Sequence, residues 1–381
     1  MRPFSSLCVA TAFSLQLACG DASTHAANDS DSSVGDTTGG TLDPGTEAGS
    51  ETQPSGADSS TDITTDSTAS TSVDPDTGSD SGTTGLPGAG LSIDGDHFTF
   101  DGAPIFLVGV SYFDARDWFA SDLDGLSSRG WNLIRIWLDW ADDGFFGPDA
   151  TLSPEGATAL AEIVAAARER GMIVDVTILD PEFLVGPDLE HRSAAASSVA
   201  TALLDADNVL FDIMNEHDHG GGPIDHTEAG AIVAAVRAVD PDRIVTISST
   251  GGHLVADDAT VQTVAVDEEI DIVGIDVVTP HLPRTLDWSA ATGLRVGNLR
   301  AHLRARGITM PIYLQEEARR GHSGLDPSAE EFVGAAQLAR DAGAAGWIFH
   351  TDAGFELGPL DFFGSLDEVE TVVVDTLPAA L

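Results

Sequence analysis

Residues 91–381 predict an α/β fold of the (β/α)8 TIM-barrel type, on three observations. Eight short apolar runs recur, at 105–112, 132–138, 172–179, 208–214, 244–249, 271–278, 311–316 and 345–350. Stretches of helical period separate most of them, and strands that are apolar throughout and alternate with helices form a parallel sheet covered on both faces. No glycine-rich dinucleotide turn follows the first run, which argues against an open doubly wound sheet.

The elements are justified in chain order. Residues 1–19 hold one early Arg2, an apolar stretch from Leu7 to Leu17 and a small residue before Cys19, which reads as an export signal, too short to span a membrane. Leu17-Ala18-Cys19-Gly20 resembles a bacterial lipoprotein signal, so Cys19 is the expected lipidation site and the chain is expected outside the cytoplasm. Anchoring to the outer membrane or cell surface is the first expectation, and a secreted or periplasmic form the second. Residues 20–90 are rich in Ser, Thr, Asp and Gly, lack Phe, Trp and Tyr, and carry thirteen acids with no Lys or Arg. Such a segment cannot offset its chain entropy by burial and is expected to be a disordered tether spanning about 45–50 Å or more. Asp94-Gly95 and Asp101-Gly102 then mark turns of a small β-hairpin preceding the barrel. Helices are expected over 117–129, from Ser153-Pro154-Glu155 onward, and over 193–204, 227–239, 290–306 and 367–376, with a weak one at 254–266. Ser328 to Glu331 has the capping-box spacing and starts another.

Composition removes several function classes. A net charge of −45 repels nucleic acid and anionic lipid, leaving a lipid anchor as the one expected membrane contact. All 17 basic residues are Arg, so no lysine Schiff base or phosphate-loop lysine exists. Both cysteines, Cys8 and Cys19, lie in the signal, so the domain has no disulfide, thiolate metal site or cysteine nucleophile. No cofactor is called for, and nothing argues for more than a monomer.

In a barrel of this class the C-terminal strand ends converge on one mouth. They carry Arg135, Asp180, Asn215 with Glu216, His281 with Arg284, Glu316 with Glu317, and Trp347 with His350. Two carboxyls across one mouth suit glycoside hydrolysis, one protonating the leaving oxygen while the other attacks or stabilises the anomeric carbon. His217, His219 and His226 invite a metal reading, but they share one glycine-rich loop, and a two-carboxylate hydrolysis requires no metal. Trp347 is a candidate sugar platform.

Val209-Leu210-Phe211-Asp212-Ile213-Met214-Asn215-Glu216 resembles the acid/base strand of glycoside hydrolase family 5, the cellulase and mannanase family. Pro311-Ile312-Tyr313-Leu314-Gln315-Glu316 resembles its nucleophile strand, and Gly130-Trp131-Asn132-Leu133-Ile134-Arg135 its second strand. The resemblance implies a retaining hydrolase of β-linked poly- or oligosaccharides, with Glu216 as acid/base, Glu316 as nucleophile, Arg135 holding the nucleophile ionised and Asn215 bonding the sugar. The family has Pro after Asn-Glu and His-x-Tyr after the sixth strand, where this chain has His217 and His281-Leu282-Pro283-Arg284. The tyrosine's place is therefore open, with Arg284 and Tyr313 as candidates beside His281. The alternative expectation is a carbohydrate-binding lipoprotein that kept the barrel and lost turnover. Glu317 is the rival nucleophile.

Overall fold

The computed structural model describes residues 90–139, 144–181, 188–219, 224–250, 270–281, 287–322 and 324–381. Leu91–Asp94 (β1), His97–Phe100 (β2) and Ala103–Ile105 (β3) form an antiparallel ribbon turned by the left-handed glycines Gly95 and Gly102. The barrel strands follow as Leu107–Asp114 (β4), Leu133–Trp137 (β5), Ile173–Leu179 (β6), Val209–Met214 (β7), Ile244–Thr246 (β8) with its continuation Ser248–Ser249 (β9), Thr279–Pro280 (β10), Tyr313–Leu314 (β11) and Gly346–Phe349 (β12).

Seven strands pair in parallel in the order β11-β12-β4-β5-β6-β7-β8. The parallel β9–β10 pair and a bridge from Val278 to Ile312 join the two edges, so the ring closes with eight strand positions. The sixth strand lies further along the chain than the apolar run 271–278 predicts. The backbone turns at Gly274 (φ +95°), leaves Val273 largely exposed, and joins β8 at Asp276, whose amide donates to the Val245 carbonyl at 2.8 Å, before bridging Ile312 at Val278.

The helices are Ala120–Ser128 (α1), Pro154–Glu169 (α2), Leu189–Ala202 (α3), His226–Val239 (α4), Trp288–Ala305 (α5), Ala329–Asp341 (α6), the single turn Phe362–Ser365 (α7) and Glu368–Ala380 (α8). Ser153 caps α2 by accepting from the Gly156 amide with Pro154 in the first turn, and the Ser328–Glu331 capping box forms on α6. The segment 254–266 and the signal and tether lie outside the described residues.

Alternation along the strands sorts side chains into two layers. Val108, Val110, Ile134, Ile136, Val174, Val176, Phe211 and Ile213 face the helices. Leu107, Leu133, Ile173, Leu210, Ile244, Val277 and Ile348 fill the lower barrel, closed by Phe98 of the ribbon. Above them Arg135, Asp175 and Asp212 continue the inward rows of β5, β6 and β7, two positions past Leu133, Ile173 and Leu210. Gly109 makes room in this row, because a Cβ there would lie 2.3 Å from the Leu133 side chain. The interior thus changes from apolar floor to charged mouth within one strand repeat.

Candidate active site

Arg135 is the hub of the mouth. It is fully buried and uses most of its donors: Nη1 donates to Glu316 Oε1 at 2.7 Å, Nη2 to Asp212 Oδ2 and Asn215 Oδ1, each at 2.8 Å, and Nε to Thr177 Oγ1 at 3.0 Å. Its guanidinium carbon sits 4.2 Å from the centre of the Trp137 ring, which itself stacks on Phe113 with centroids 3.7 Å apart. Burial alone would weaken the cation's hold on its proton, but Glu316, Asp212 and Asp175 outweigh it and strengthen that hold beyond the ordinary arginine value. The acids show the reverse balance. Burial pushes Asp175 up to about 7 against the pull of Arg135, and raises Asp212 as well.

Asp212 also builds the turn that presents Glu216. Its Oδ1 accepts from the Ser248 amide and its Oδ2 from Ser248 Oγ, and Ser248 Oγ in turn accepts from the Glu216 amide at 3.0 Å. Glu216 stands in the left-handed region at φ +47°, a conformation that costs a non-glycine residue on the order of 1–3 kcal/mol and persists where surrounding bonds impose it. Glu216 keeps the parity of the inward Leu210 and Asp212, and its carboxylate stands in the mouth. His281 Nδ1 lies 3.0 Å from Glu216 Oε1 and 3.8 Å from Glu316 Oε2.

One carboxylate oxygen each from Glu216 and Glu316 and one His281 nitrogen lie within 4.8 Å of one another. Two acids and an imidazole at this spacing could also hold a divalent cation. As a pair, the carboxyls stand near the roughly 5–5.5 Å of retaining glycosidases and short of the about 6.5–9.5 Å that leaves room for a water in inverting ones. Glu316 is tied and nearly buried, whereas the Glu216 side chain is one-fifth exposed, so the mouth opens on the Glu216 side.

Not every expected residue joins them. Trp347 is wholly buried in the helix-facing layer, one position off the inward Ile348, and so packs the core rather than offering a sugar platform. Tyr313 is also fully buried, edge-on to Phe98 at 6.3 Å, with its hydroxyl donating to Asp175. It belongs to the barrel floor and does not reach the nucleophile. Asn215 gives its carbonyl to Arg135, which turns its NH2 away from the arginine. Arg284 lies outside the described residues. His217 is buried, its ring centroid 6.3 Å from that of His226, and burial lowers its pKa.

Glu317 faces out of the barrel toward α5, where Thr292 Oγ1 donates to it at 3.2 Å, and burial pushes it up to about 7. The native state therefore keeps a proton that the unfolded chain releases near 4.5, and stability falls as pH rises from about 4.5 to about 7, by about 3 kcal/mol. Glu317→Gln is expected to flatten that slope in urea unfolding while leaving turnover intact. An unchanged slope would contradict the assignment.

Sequence reasoning passed over Asp212, Ser248, Ser111 and Arg319, and noted His350 only as a strand end. Ser111 and His350 continue the inward rows from Gly109 and Ile348, which is the signal that could have found them. Their side chains meet at 2.8 Å.

The cellulase description of glycosyl hydrolase family 5 matches residues 95–298, more than half of the chain. The chain belongs to glycosyl hydrolase family 5. Endoglucanase CelA of Streptomyces lividans is 27% identical over 228 residues, covering 56% of this chain and 45% of that protein. The family 5 chain therefore spans less than half the length of that curated relative. Among solved structures, a family 5 glycoside hydrolase from Bacteroides vulgatus has a TM-score of 0.57 at 15% identity, covering 76% of this chain and 68% of that one. The endo-1,4-β-mannanase of Rhizomucor miehei has a TM-score of 0.54 at 15% identity, covering 77% and 99%. These two likenesses show the barrel fold.

Proposed function

We propose that this family 5 chain is a retaining glycoside hydrolase acting on β-1,4-linked glucans or mannans, the linkage class suggested by its endoglucanase and mannanase relatives. The observation that carries the proposal is the Glu216–Glu316 separation of at most 4.8 Å between carboxylate oxygens, with Glu316 bonded to a buried arginine.

Glu316, charge-paired with Arg135, attacks the anomeric carbon while protonated Glu216 donates its proton to the departing oxygen. The C–O bond breaks, a glycosyl ester forms on Glu316 and the aglycone leaves neutral. Water then gives a proton to Glu216 and its oxygen to the anomeric carbon, releasing Glu316 and restoring Glu216 to its acid form. His281 meets Glu216 through Nδ1 at 3.0 Å and stands 3.8 Å from Glu316, beyond hydrogen-bond reach. The Asn215 NH2 donates to a sugar hydroxyl in this reading, its Oδ1 being taken by Arg135. The proposed setting is the outer face of a bacterial cell, with Cys19 as lipid anchor and residues 20–90 as tether.

The test is to trap the enzyme with 2,4-dinitrophenyl 2-deoxy-2-fluoro-β-cellobioside and the β-mannobioside analogue, then map the label by peptide mass spectrometry. Label on Glu316, together with a β-anomer as first product by NMR, is the expected result. An α-anomer, or label elsewhere, overturns the proposal.

A further inference from the structure

A general acid has to sit within hydrogen-bond reach of the oxygen it protonates, and a displacement of about 1 Å costs about 10²-fold. Glu216 meets that demand from a backbone at φ +47°, two residues past the end of β7 at Met214. Among the described residues its side chain has one hydrogen-bond partner, His281 Nδ1 at 3.0 Å. The main chain must therefore carry much of the positioning, and the bonds that fix it come from the next strand.

Ser248, fully buried on β9, meets the turn at three places. Its Oγ accepts from the Glu216 amide at 3.0 Å, its carbonyl accepts from the His217 amide at 2.9 Å, and its own amide donates to Asp212 Oδ1 at 3.0 Å. Consecutive amides of an extended strand point to opposite sides, but these two converge on one serine because the left-handed residue between them turns the chain. The hydroxyl has one hydrogen and two acceptors for it, Asp212 Oδ2 at 3.1 Å and the Met214 carbonyl at 3.4 Å. Asp212 is the nearer, and the same Oδ2 takes Arg135 Nη2 at 2.8 Å. With the hydrogen committed there, the lone pairs of Oγ are left for the Glu216 amide. Thr250 braces the far side of the turn, its amide and hydroxyl donating to Asp218 at 2.7 and 3.1 Å.

We propose that Ser248 is the positioning residue for the general acid: its hydroxyl, oriented by Asp212, holds the left-handed turn from which the Glu216 carboxyl reaches the leaving oxygen. An unbroken run of hydrogen bonds, Glu316–Arg135–Asp212–Ser248–Glu216, then ties the acid's main chain to the cation that pairs with the nucleophile. The inference rests on the retaining mechanism proposed above and goes beyond it by giving the acid a support that its own strand does not supply.

Ser248→Ala deletes the hydroxyl and leaves the serine's main-chain bonds in place. On methyl β-cellobioside and β-mannobioside, whose leaving oxygen needs a proton, it is expected to lower kcat/KM about 10²-fold. On the 2,4-dinitrophenyl glycosides of the same sugars, whose phenolate needs none, kcat/KM should stay within about twofold of the native value. There kcat and KM should fall together, because the glycosyl ester accumulates when the base that activates water is out of place. Labelling of Glu316 by the 2-fluoro analogues should keep its native rate. Ser248→Ala/Glu216→Ala should be no slower than Glu216→Ala, because the hydroxyl acts only through the acid. Should Ser248→Ala fail to fold by circular dichroism, Ser248→Cys carries the test, with a weak sulfur acceptor in place of the oxygen and the same division between the two leaving groups expected. Equal losses on both kinds of glycoside overturn the inference. So does a variant as fast as the native enzyme on the methyl glycosides, or a Ser248→Ala loss that persists in full on the Glu216→Ala background. Native protein inert to all these glycosides and unlabelled by the 2-fluoro analogues would instead overturn the hydrolase proposal itself, a failure visible before any variant is made.

Discussion

Replacing Glu316 by Ala is expected to lower kcat/KM by at least about 10⁴-fold on every glycoside, because in the proposed mechanism it removes the nucleophile with its charge. Replacing Glu216 by Ala should cost about 10²–10⁴-fold on an alkyl glycoside but far less on a dinitrophenyl one, whose departure needs no proton. Added azide separates the two roles by stereochemistry. In the Glu316→Ala enzyme azide enters the vacated face and gives an α-glycosyl azide. In the Glu216→Ala enzyme it intercepts the glycosyl ester on Glu316 and gives a β-glycosyl azide. One oxygen of each carboxylate lies within 4.8 Å of the other, close enough for both to act on one sugar. Azides of the same anomeric form from both variants, or equal leaving-group dependence, would refute the division of labour.

The barrel, and the meeting of Glu216 and Glu316 at its mouth, were legible in the sequence because they rest on local signals. Caps at Ser153 and Ser328, alternating apolar runs and the Asn-Glu pair after the fourth run each act within a few residues. Side-chain direction at strand ends was less legible. Counting alternately from Tyr313 and Gln315, both bonded to Asp175 inside the barrel, parity would send Glu317 inward and Glu316 outward. The regular strand stops at Leu314, the chain leaves the ladder, and Glu316 turns into the mouth while Glu317 passes beneath α5. Asn215 departs from the same rule: it lies off the parity of Leu210 and Asp212 yet bonds Arg135 in the mouth. Trp347 shows the opposite error: β12 stays regular through Phe349, so parity holds and the indole faces the helices. The sixth strand starts later than the run 271–278 suggests, because Asp271 to Val273 precede the turn at Gly274 and the bonds to the neighbouring strands begin at Asp276.

Arg135→Met is expected to destabilise the fold by about 3–5 kcal/mol at neutral pH, the scale for breaking a buried ion pair from one side. Met fills a similar volume, so the loss is electrostatic: Asp212, Asp175 and Glu316 are left in the barrel without the cation that Asp212 and Glu316 bond directly. The sign with pH follows. Asp175 already stands at about 7 with Arg135 present, and removing the cation moves the buried acids further above their unfolded values. A folded state that binds more protons than the unfolded one gains stability as pH falls, so the deficit of Arg135→Met should shrink from pH 8.5 to pH 5 in urea unfolding. Arg135→Lys keeps a charge but not the planar fork that reaches Glu316 and Asp212 together. It should recover much of the stability while kcat stays about 10²-fold low, because the nucleophile has lost its orientation rather than its counterion. A deficit in Arg135→Met that does not vary with pH would show that the arginine acts through packing against Trp137 and not through the acids it joins.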